Sequence, residues 1–570
     1  MKLTTALMAT AAAVLPLSAM ADGHEGERGR DGQVNIIYWQ APSTLNPFLS
    51  GGTKDVESAS LIVEPLARFD ETGTIQPWLA AEIPTVDNGG ISEDLTQVTW
   101  KLRDDVVWSD GTPFTSADVA FTYEYCTDPE GGCAQATKFE NIESVETPDD
   151  FTVVVNFDTA VPYPYTAFVG GESPILQKAQ FENCVGAAAS TCTEENFGPI
   201  GTGPFVVDEF RTNDVITLSA NPNYREEGKP AFQTVNFKGG GDAEAAGRAV
   251  MQTGEFDYAW NLQLAPEVIE QMEAGGLGTP VAGFGPLVER IMLNWTNPDP
   301  SLGPDERSVV RPHPFLQDPA VYQAMSMAID RPLLVEIGYG QAGRVTCNWV
   351  PAPEAFSSTS MDCDTQDLEG AKAMLEEAGW VDSNGDGVRE KDGVELRILY
   401  QTSTNAVRQD FQALIKEWFE EIGIATELRN VNSSVFFGGD AGSPDTFQKF
   451  YADVEMYANT FNGTDPQAYL GNALCDKAPT PATQWQGENI SRFCMEEYDA
   501  LWQTLSETAD LSERQRIAKE LNDMAVMNGA MIPLVHRGRL SAHANSLGGV
   551  KLNVWDSELW NIADWYRIGE

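Results

Sequence analysis

The cysteines and histidines carry the most reactive side chains in this sequence, and their spacing favours cross-links over catalysis. The histidines are His24, His313, His536 and His543, and none has the close partner that a zinc enzyme uses. The eight cysteines contain no Cys-x-x-Cys spacing, which disfavours a metal site. They allow roughly a hundred connectivities. We expect disulfides between sequential neighbours: Cys126 with Cys133, Cys184 with Cys192, Cys347 with Cys363, and Cys475 with Cys494.

Sequence motifs of catalysis are missing. The chain contains no Gly-x-Ser-x-Gly nucleophile turn, no His-Glu-x-x-His and no Walker loop. The segment Gly201-Thr202-Gly203 lacks the third glycine of a dinucleotide-binding fingerprint. Neighbouring carboxylates do not indicate a catalytic pair here, because a chain with 85 acidic residues contains many such neighbours by chance. The sequence therefore predicts a protein that is not an enzyme and has no cofactor.

One acidic loop has the spacing of a metal site. Asp382, Asn384 and Asp386 occupy the first ligand positions of a calcium loop. Position 12, where such loops place a bidentate glutamate, is Gly393. Two interpretations follow: a structural calcium site far from any ligand, or a β-turn stabilised by Asx side chains, which the missing glutamate favours.

The composition limits the class of the protein. Its 570 residues, 42% of them apolar, suffice for roughly three to four domains with substantial cores. Lys and Arg number 36 against 85 Asp and Glu, which gives a formal net charge of -49. Such a chain repels nucleic acids and anionic lipid surfaces, so neither is an expected partner. The acidity suits a saline habitat, where salt screens the charges.

The first residues predict export. Lys2 precedes a short apolar stretch from Ala6 to Leu17, and small residues flank Met20, so we expect a signal peptide over residues 1–21. The stretch is shorter than the about 20 apolar residues that cross a bilayer, and no cysteine stands at the predicted cleavage site for lipidation. We therefore expect a periplasmic protein without a membrane anchor, in a compartment where disulfides form.

Regular elements alternate along the remaining chain. The period-two patterns of Val98–Arg103 and Phe151–Phe157 predict strands. The capping-box spacing of Thr115–Asp118 predicts a helix start, and Phe411–Ile422 repeats apolar residues at helical spacing. This interleaving predicts an α/β protein with mixed sheets. The charged, glycine-rich leader Asp22–Gly32 is expected to be frayed.

Short segments that are weak individually form an ordered series. They are Thr44–Pro47, Val98–Arg103, Val107–Thr115, Ala117–Val119, Gly201–Phe205, Asn221–Tyr224, Gln323–Met325, Ala328–Arg331, Thr464–Pro466 and Ile532–Leu534. The series resembles that of the family 5 extracellular solute-binding proteins, which are the peptide, nickel and oligosaccharide receptors of ABC importers. The resemblance covers nearly all of the chain after the signal peptide.

This resemblance implies a two-lobed clamshell of the type II periplasmic-binding-protein class, with an extra inserted subdomain. The expected divisions are residues 22–62, 200–285 and 529–570 for lobe I, residues 63–199 for the inserted subdomain, and residues 286–528 for lobe II. Two crossover segments, Val281–Asn294 and Met524–Pro533, are expected to form the hinge about which the lobes close.

The resemblance also implies a ligand held between the lobes by aromatic faces and a few polar groups. The candidate residues adjoin the family-like turns and strand ends: Trp39, Tyr258, Trp260, Asn261, Trp295, Trp349, Tyr457, Phe461, Asn462 and Asp465. In peptide-binding members an aspartate shortly before an Asp-Pro pair captures the ligand's amino terminus, and Asn462 stands in that place here. An amide cannot form the charge-assisted pair. Either Asp465 substitutes, or the ligand is not a standard short peptide.

We therefore expect a monomeric periplasmic receptor that binds an oligopeptide or peptide-like ligand and delivers it to an ABC permease in the inner membrane. One alternative is an oligosaccharide receptor of the same fold, because indole rings also stack on sugars. The others, from different classes, are a secreted hydrolase and a ligand-binding protein coupled to a chemoreceptor.

Overall fold

The computed structural model describes residues 26–305, 307–440 and 442–569. Two large mixed sheets with different strand orders organise these residues, and a smaller antiparallel sheet accompanies them. The predicted signal peptide over residues 1–21 lies outside the described residues. Within the described ranges, no helix combines the length and the apolarity that crossing a membrane requires.

Lobe I is built on a seven-stranded sheet that gathers three separate parts of the chain. Its strands, in spatial order, are Gly278–Gly283, Arg539–Ala544, Tyr258–Trp260, Gln33–Tyr38, Thr234–Gly239, Val215–Ala220 and Phe205–Arg211. Val34, Ile36 and Tyr38 are fully buried, because alternate side chains of a strand point to the same face. The helices of this lobe are Thr53–Ala59, Ala243–Met251 and Pro266–Glu273.

Lobe II is built on a six-stranded sheet. Its strands, in spatial order, are Gly343–Val345, Met531–Arg537, Val288–Leu293, Val454–Asn459, Arg397–Ser403 and Ala425–Val431. All six residues of Val288–Leu293 are buried. Ile291 and Leu293 belong to one hydrophobic cluster, and Val288 and Met292 belong to another. Its helices are Pro319–Met327, Arg331–Gly338, Leu368–Glu377, Ala406–Glu421, Ser433–Phe436, Gln467–Leu470, Glu496–Glu507 and Leu511–Met527.

The inserted subdomain has its own hydrophobic cluster, which runs mainly from Leu66 to Ala189. It contains the antiparallel sheet Gln97–Lys101, Thr152–Phe157 and Ile142–Asp149 and the helices Ser116–Thr127, Lys178–Phe181 and Thr193–Phe197. The first helix begins at the predicted capping box, where the Asp118 carboxylate accepts from the Thr115 backbone N–H at 3.0 Å. Three two-stranded antiparallel sheets complete the described strands: Ala67–Phe69 with Ile75–Pro77, Glu390–Lys391 with Val394–Glu395, and Leu547–Gly548 with Tyr566–Arg567.

The chain crosses between the two large sheets after Gly283 and again at Gly538. The crossing segments lie side by side, since the Arg537 backbone N–H donates to the Leu287 carbonyl at 3.2 Å. Two adjacent extended segments with a glycine in each give the hinge geometry expected of a clamshell.

The second crossing lies just beyond the segment Met524–Pro533 in which the sequence placed it. The strand Met531–Arg537 pairs with Val288–Leu293 in the lobe II sheet, so residues 531–537 belong with lobe II rather than with lobe I. The reason is that the strand continues unbroken to Arg537, and only Gly538 interrupts it before Arg539–Ala544.

The cysteines form the four predicted disulfides, Cys126–Cys133, Cys184–Cys192, Cys347–Cys363 and Cys475–Cys494. The first two lie in the inserted subdomain and the others in lobe II. Each closes a loop of 7 to 19 residues, so the cross-links constrain local excursions rather than join the lobes.

The described part of the leader, residues 26–32, is anchored, contrary to the expectation of a frayed segment. The Arg28 guanidinium donates to five backbone carbonyls, those of Asn221, Pro222, Tyr224, Glu226 and Lys229, at 2.5 to 3.1 Å. A guanidinium donor is charged, and such hydrogen bonds are stronger than those between neutral groups. These contacts join segments that are distant in the sequence, so the local composition does not indicate that the leader is anchored.

Candidate ligand-binding site

Two adjoining cavities lie between the lobes. The empty space of cavity A, including the part open to solvent, is about 590 Å³, and that of cavity B is about 540 Å³. They share the lining residues Gly51, Phe447, Asn459 and Thr460, so one extended ligand could reach both.

Cavity A is bounded by both lobes. The lobe I residues that line it are Gln40, Gly51, Thr53, Trp260, Asn261, Arg539 and Glu558, and the lobe II residues are Arg408, Phe437, Phe447, Tyr457, Ala458, Asn459, Thr460 and Arg537, with Leu287 from the crossing segment. Cavity B lies between lobe II and the inserted subdomain, which contributes Ala134, Gln135, Thr137, Lys138 and Glu172.

Strand ends bring these residues together. Gln33–Tyr38 and Tyr258–Trp260 are parallel neighbours, so Gln40 and Asn261 emerge at the same edge of the lobe I sheet. Ligands of open α/β sheets bind beyond this carboxyl edge. From lobe II, Asn459 and Thr460 stand at the end of the strand Val454–Asn459 and face the same space.

The strand Val454–Asn459 has an open edge at the cavities. Its pairing with Arg397–Ser403 ends at Met456, while its pairing with Val288–Leu293 continues to Asn459. The backbone of Tyr457–Asn459 therefore has a ladder partner on one side only among the described strands. Such an edge can pair with an extended chain through main-chain hydrogen bonds, which are independent of side-chain identity.

A buried ion pair forms the lobe II wall of cavity A. The Arg408 Nε atom donates to Glu289 Oε1 at 2.7 Å, and both side chains are almost completely buried. Arg537 also approaches Glu289, with its Nη1 atom 3.6 Å from Oε2. Burial opposes ionisation of Glu289, but the two guanidinium groups hold its pKa below the ordinary value.

A second charged group lies under cavity A in lobe I. Arg539 Nη1 donates to the carbonyls of Asn553 and Asp556 and approaches Glu57 Oε1 at 3.4 Å. Burial raises the pKa of Glu57 from 4.5 to about 8, against the opposing effect of Arg539. Glu558, at the cavity wall, accepts from the Tyr258 hydroxyl at 2.6 Å.

The charges of cavity B are largely paired. Lys138 Nζ lies 2.7 Å from Glu172 Oε2. The Glu488 carboxylate accepts from the backbone N–H and the hydroxyl of Thr137. Burial raises the pKa of Glu488 to about 7, although Lys477 acts in the opposite direction.

Four of the residues predicted from the sequence line the cavities. Trp260, Asn261 and Tyr457 line cavity A, and Phe461 lines cavity B. Tyr38 covers one face of the Trp260 ring at a centroid distance of 4.5 Å. The Tyr457 ring packs against Phe447 and under the Arg290 guanidinium.

Four other aromatic candidates lie behind the walls or away from them. The Trp39 indole N–H donates to the Asn261 carbonyl at 2.8 Å, and Tyr258 holds Glu558, so both support residues that line cavity A. The Trp349 ring packs on Tyr469, 5.0 Å away. The Trp295 indole donates to the Gly529 carbonyl at 2.9 Å, within the hydrophobic packing of lobe II.

Asn462 and Asp465 are engaged by the protein itself. With its amide oriented toward the donors, Asn462 accepts from the backbone N–H groups of Gly171 and Glu172, both at 3.2 Å, and so joins lobe II to the inserted subdomain. Asp465 Oδ2 accepts from Arg514 Nε and Nη2 at 3.0 and 2.8 Å. Neither side chain is among those that line cavity A or cavity B.

The sequence prediction missed the arginines of cavity A. Arg408 lies on the helix Ala406–Glu421 and meets Glu289 across a separation of 119 residues, which no local pattern reveals. Arg537 and Arg539 carried a weak signal, because Arg537-Gly538-Arg539 follows the family-like segment Ile532–Leu534 and places two positive charges two residues apart.

The loop with calcium-like spacing is stabilised by its own backbone. Asp382 Oδ1 accepts from the N–H groups of Gly385 and Asp386, and Oδ2 accepts from that of Gly387. Asn384 donates to Asp386. These are the contacts of an Asx-stabilised turn, and they favour that interpretation over the calcium site.

The described histidines are spread over separate parts of the molecule. His313 pairs with Asp453 at 2.9 Å, His536 contacts the Gly285 carbonyl at 2.8 Å, and His543 contacts the Ala544 carbonyl at 3.0 Å. None of the three lines cavity A or cavity B.

Comparison with known families decides the classification. Residues 74–479, more than half of the chain, match the family described as bacterial extracellular solute-binding proteins, family 5. The chain belongs to this family. The two-lobed α/β fold with an inserted subdomain and mixed sheets is thereby established, as the sequence predicted.

Relatives of this family member span most of its length. It is 27% identical over 423 residues to the oligopeptide-binding protein AppA of Bacillus subtilis, covering 73% of this chain and 72% of AppA. It is 23% identical to the glutathione-binding protein GsiB of Shigella boydii, covering 89% of both chains.

Solved structures share the fold. The chain superposes on AppA of Bacillus subtilis in complex with a nonapeptide with a TM-score of 0.81, at 22% identity, covering 95% of this chain and 100% of AppA. It superposes on NikZ of Campylobacter jejuni in complex with Ni(L-His) with a TM-score of 0.77, at 22% identity, covering 94% and 99%.

Proposed function

We propose that this family 5 protein is the periplasmic receptor of an ABC importer for oligopeptides. It binds an extended peptide between its lobes, closes over it, and delivers it unaltered to a permease in the inner membrane. The single observation that carries the proposal is the pair of adjoining cavities bounded by both lobes and by the inserted subdomain. A ligand there makes closure of the lobes favourable, because it contacts both sides only in the closed state.

The open strand edge at Tyr457–Asn459 supports a peptide ligand. A peptide that adds to this edge gains main-chain hydrogen bonds whatever its sequence, and the aromatic rings of Phe437, Phe447 and Tyr457 provide apolar contact for varied side chains. The relatives named for oligopeptide and glutathione binding agree with this ligand class.

The hinge allows the protein to release its ligand without any covalent change to it. The two crossings at Gly283–Val288 and Gly538 are the covalent connections between the large sheets along the described chain, so the lobes can separate by rotation about two adjacent segments. The described histidines line neither cavity, and the carboxylates at the cavities are engaged with arginine, lysine or hydroxyl partners.

Thermal-shift screening tests this function. A tryptic casein digest should raise the melting temperature, because a ligand that binds only the folded state stabilises it, and mass spectrometry should recover the bound peptides uncut. A pool of neutral oligosaccharides should leave the melting temperature unchanged. A shift by the sugars alone would favour the oligosaccharide receptor, and peptide cleavage would favour the hydrolase.

A further inference from the structure

We propose that Arg537 and Arg539 form a carboxylate-binding subsite in cavity A, one guanidinium from each lobe. The inference rests on the proposed receptor function and narrows its ligand class to solutes that carry a carboxylate. For a peptide ligand, this group is the carboxyl terminus or an acidic side chain.

The two arginines stand on either side of the hinge. Arg537 ends the lobe II strand Met531–Arg537, Arg539 begins the lobe I strand Arg539–Ala544, and Gly538 lies between them. Residues two apart in an extended chain point to the same side, and both side chains line cavity A. A single anion in this corner can therefore contact both lobes.

Both guanidinium groups retain unused donors although they are buried. The side chains of Arg537 and Arg539 are only 3% and 6% exposed. Arg537 donates to Asn261 Oδ1 through Nη2, while its buried Nε atom has no acceptor among the described residues. Arg539 uses Nη1 for its acceptors, and no described residue accepts from its Nε or Nη2 atom.

The carboxylates of this corner leave some of the guanidinium donors without an acceptor. Arg408 and Arg537 share the single carboxylate of Glu289, and Arg408 holds it at hydrogen-bond distance. Arg539 approaches Glu57 at 3.4 Å and Glu558 at 4.0 Å through its Nη1 atom, which leaves its Nε and Nη2 atoms without an acceptor among the described residues. Buried charges with unsatisfied donors are costly, and a carboxylate offers the acceptors that match a guanidinium.

The test compares acids with their neutral counterparts on the wild-type protein. The probes are a tryptic casein digest, the same digest with its carboxyl groups methyl-esterified, trigalacturonic acid and galactotriose, with affinity read from tryptophan fluorescence. We expect the unmodified peptides to bind about tenfold more tightly or better than the esters, because hydrogen bonds to charged groups are lost.

The possible outcomes separate this inference from the proposed function. Equal binding of peptides and their esters would overturn the carboxylate subsite and leave the peptide receptor standing. Binding of trigalacturonic acid, without binding of peptides or galactotriose, would support the subsite and overturn the peptide ligand. An absence of preference for either acid over its neutral counterpart would overturn the subsite.

Two variants locate the effect. Arg537→Gln should reduce the preference for acids over their esters about tenfold or more, because a carboxylate loses a charged donor and an ester does not. Arg516→Gln, on an exposed helix face paired with Glu513 and Glu520, is the matched control and should bind like the wild type. An Arg537→Gln protein that folds normally and keeps the full preference for acids would overturn the assignment.

Discussion

The sequence offered Asp465 as a candidate for capturing the amino terminus of the ligand. In the structure its carboxylate is paired with Arg514, so a variant of Asp465 distinguishes ligand binding from a structural role. The Arg514 guanidinium donates to Asp465 at 2.8 and 3.0 Å, to Gln467 Oε1 at 2.9 Å, and to the carbonyls of Leu505 and Thr508 at 3.0 Å. The side chains of the pair are 3% and 6% exposed. The arrangement indicates a structural role that joins two parts of lobe II.

The perturbation is Asp465→Asn, which preserves the shape and removes the charge. Breaking a buried ion pair on one side costs about 3 to 5 kcal/mol, because the remaining charge stays buried without its partner. At about 2 to 4 °C per kcal/mol for domains of 150 to 250 residues, the melting temperature should fall by about 6 °C or more. Affinity for the casein digest, measured well below the melting transition, should stay within about twofold.

The matched control is Asp476→Asn, whose side chain is 76% exposed beside Lys477. Exposed pairs contribute about 0 to 1 kcal/mol, so this variant should melt close to the wild type. The reasoning would be refuted if Asp465→Asn melted like the control and lost peptide affinity, since Asp465 would then act on the ligand and not on the fold.

Three further predictions concern affinity, pH dependence and the anchored leader. Trp260→Ala should weaken peptide binding in calorimetric titrations, because Trp260 lines cavity A. Trp295→Ala should lower the melting temperature without changing peptide affinity, because Trp295 packs within lobe II. A loss of affinity in Trp295→Ala but not in Trp260→Ala would contradict these placements. Because the pKa of Glu57 rises from 4.5 to about 8 on folding, the folded state binds its proton more tightly. The free energy of unfolding of the wild type should therefore decrease as the pH rises from 4.5 to about 8, by up to about 1.4 kcal/mol per pH unit. Glu57→Gln should lack this decrease in melting experiments at several pH values, and wild-type and variant profiles that run parallel would contradict the prediction. Arg28→Ala should increase hydrogen exchange in residues 26–32, and unchanged protection there would show that the carbonyl contacts are unimportant.

The fold was predictable because its signals are local and ordered. The alternation of Val98–Arg103 and the capping box at Thr115–Asp118 each appear near their predicted places. The disulfides were predictable because each closes a short loop. Trp260 and Asn261 were candidates because they adjoin a strand end, where such sheets bind ligands, and both line cavity A.

The charged part of the site was not predictable, because its contacts join distant segments. Glu289 and Arg408 are adjacent only after the lobe II sheet has formed, and Asp465 is taken by Arg514, 49 residues later. In a chain with 85 acidic residues, the sequence alone does not indicate which carboxylates are paired. The second hinge segment lies later in the chain than predicted for a related reason. Pairing with Val288–Leu293 extends the strand Met531–Arg537 up to Gly538, and the local composition does not indicate this pairing.

Closure of the lobes over an unaltered peptide is tested most directly by small-angle X-ray scattering. The protein, freed of ligand by denaturation and refolding with its disulfides intact, is measured alone and with saturating casein peptides that are afterwards recovered for mass spectrometry. We predict a smaller radius of gyration with peptide, a return to the larger value after its removal, and peptides of unchanged mass. A radius of gyration that stays the same at saturation, or peptides recovered in fragments, would contradict the account.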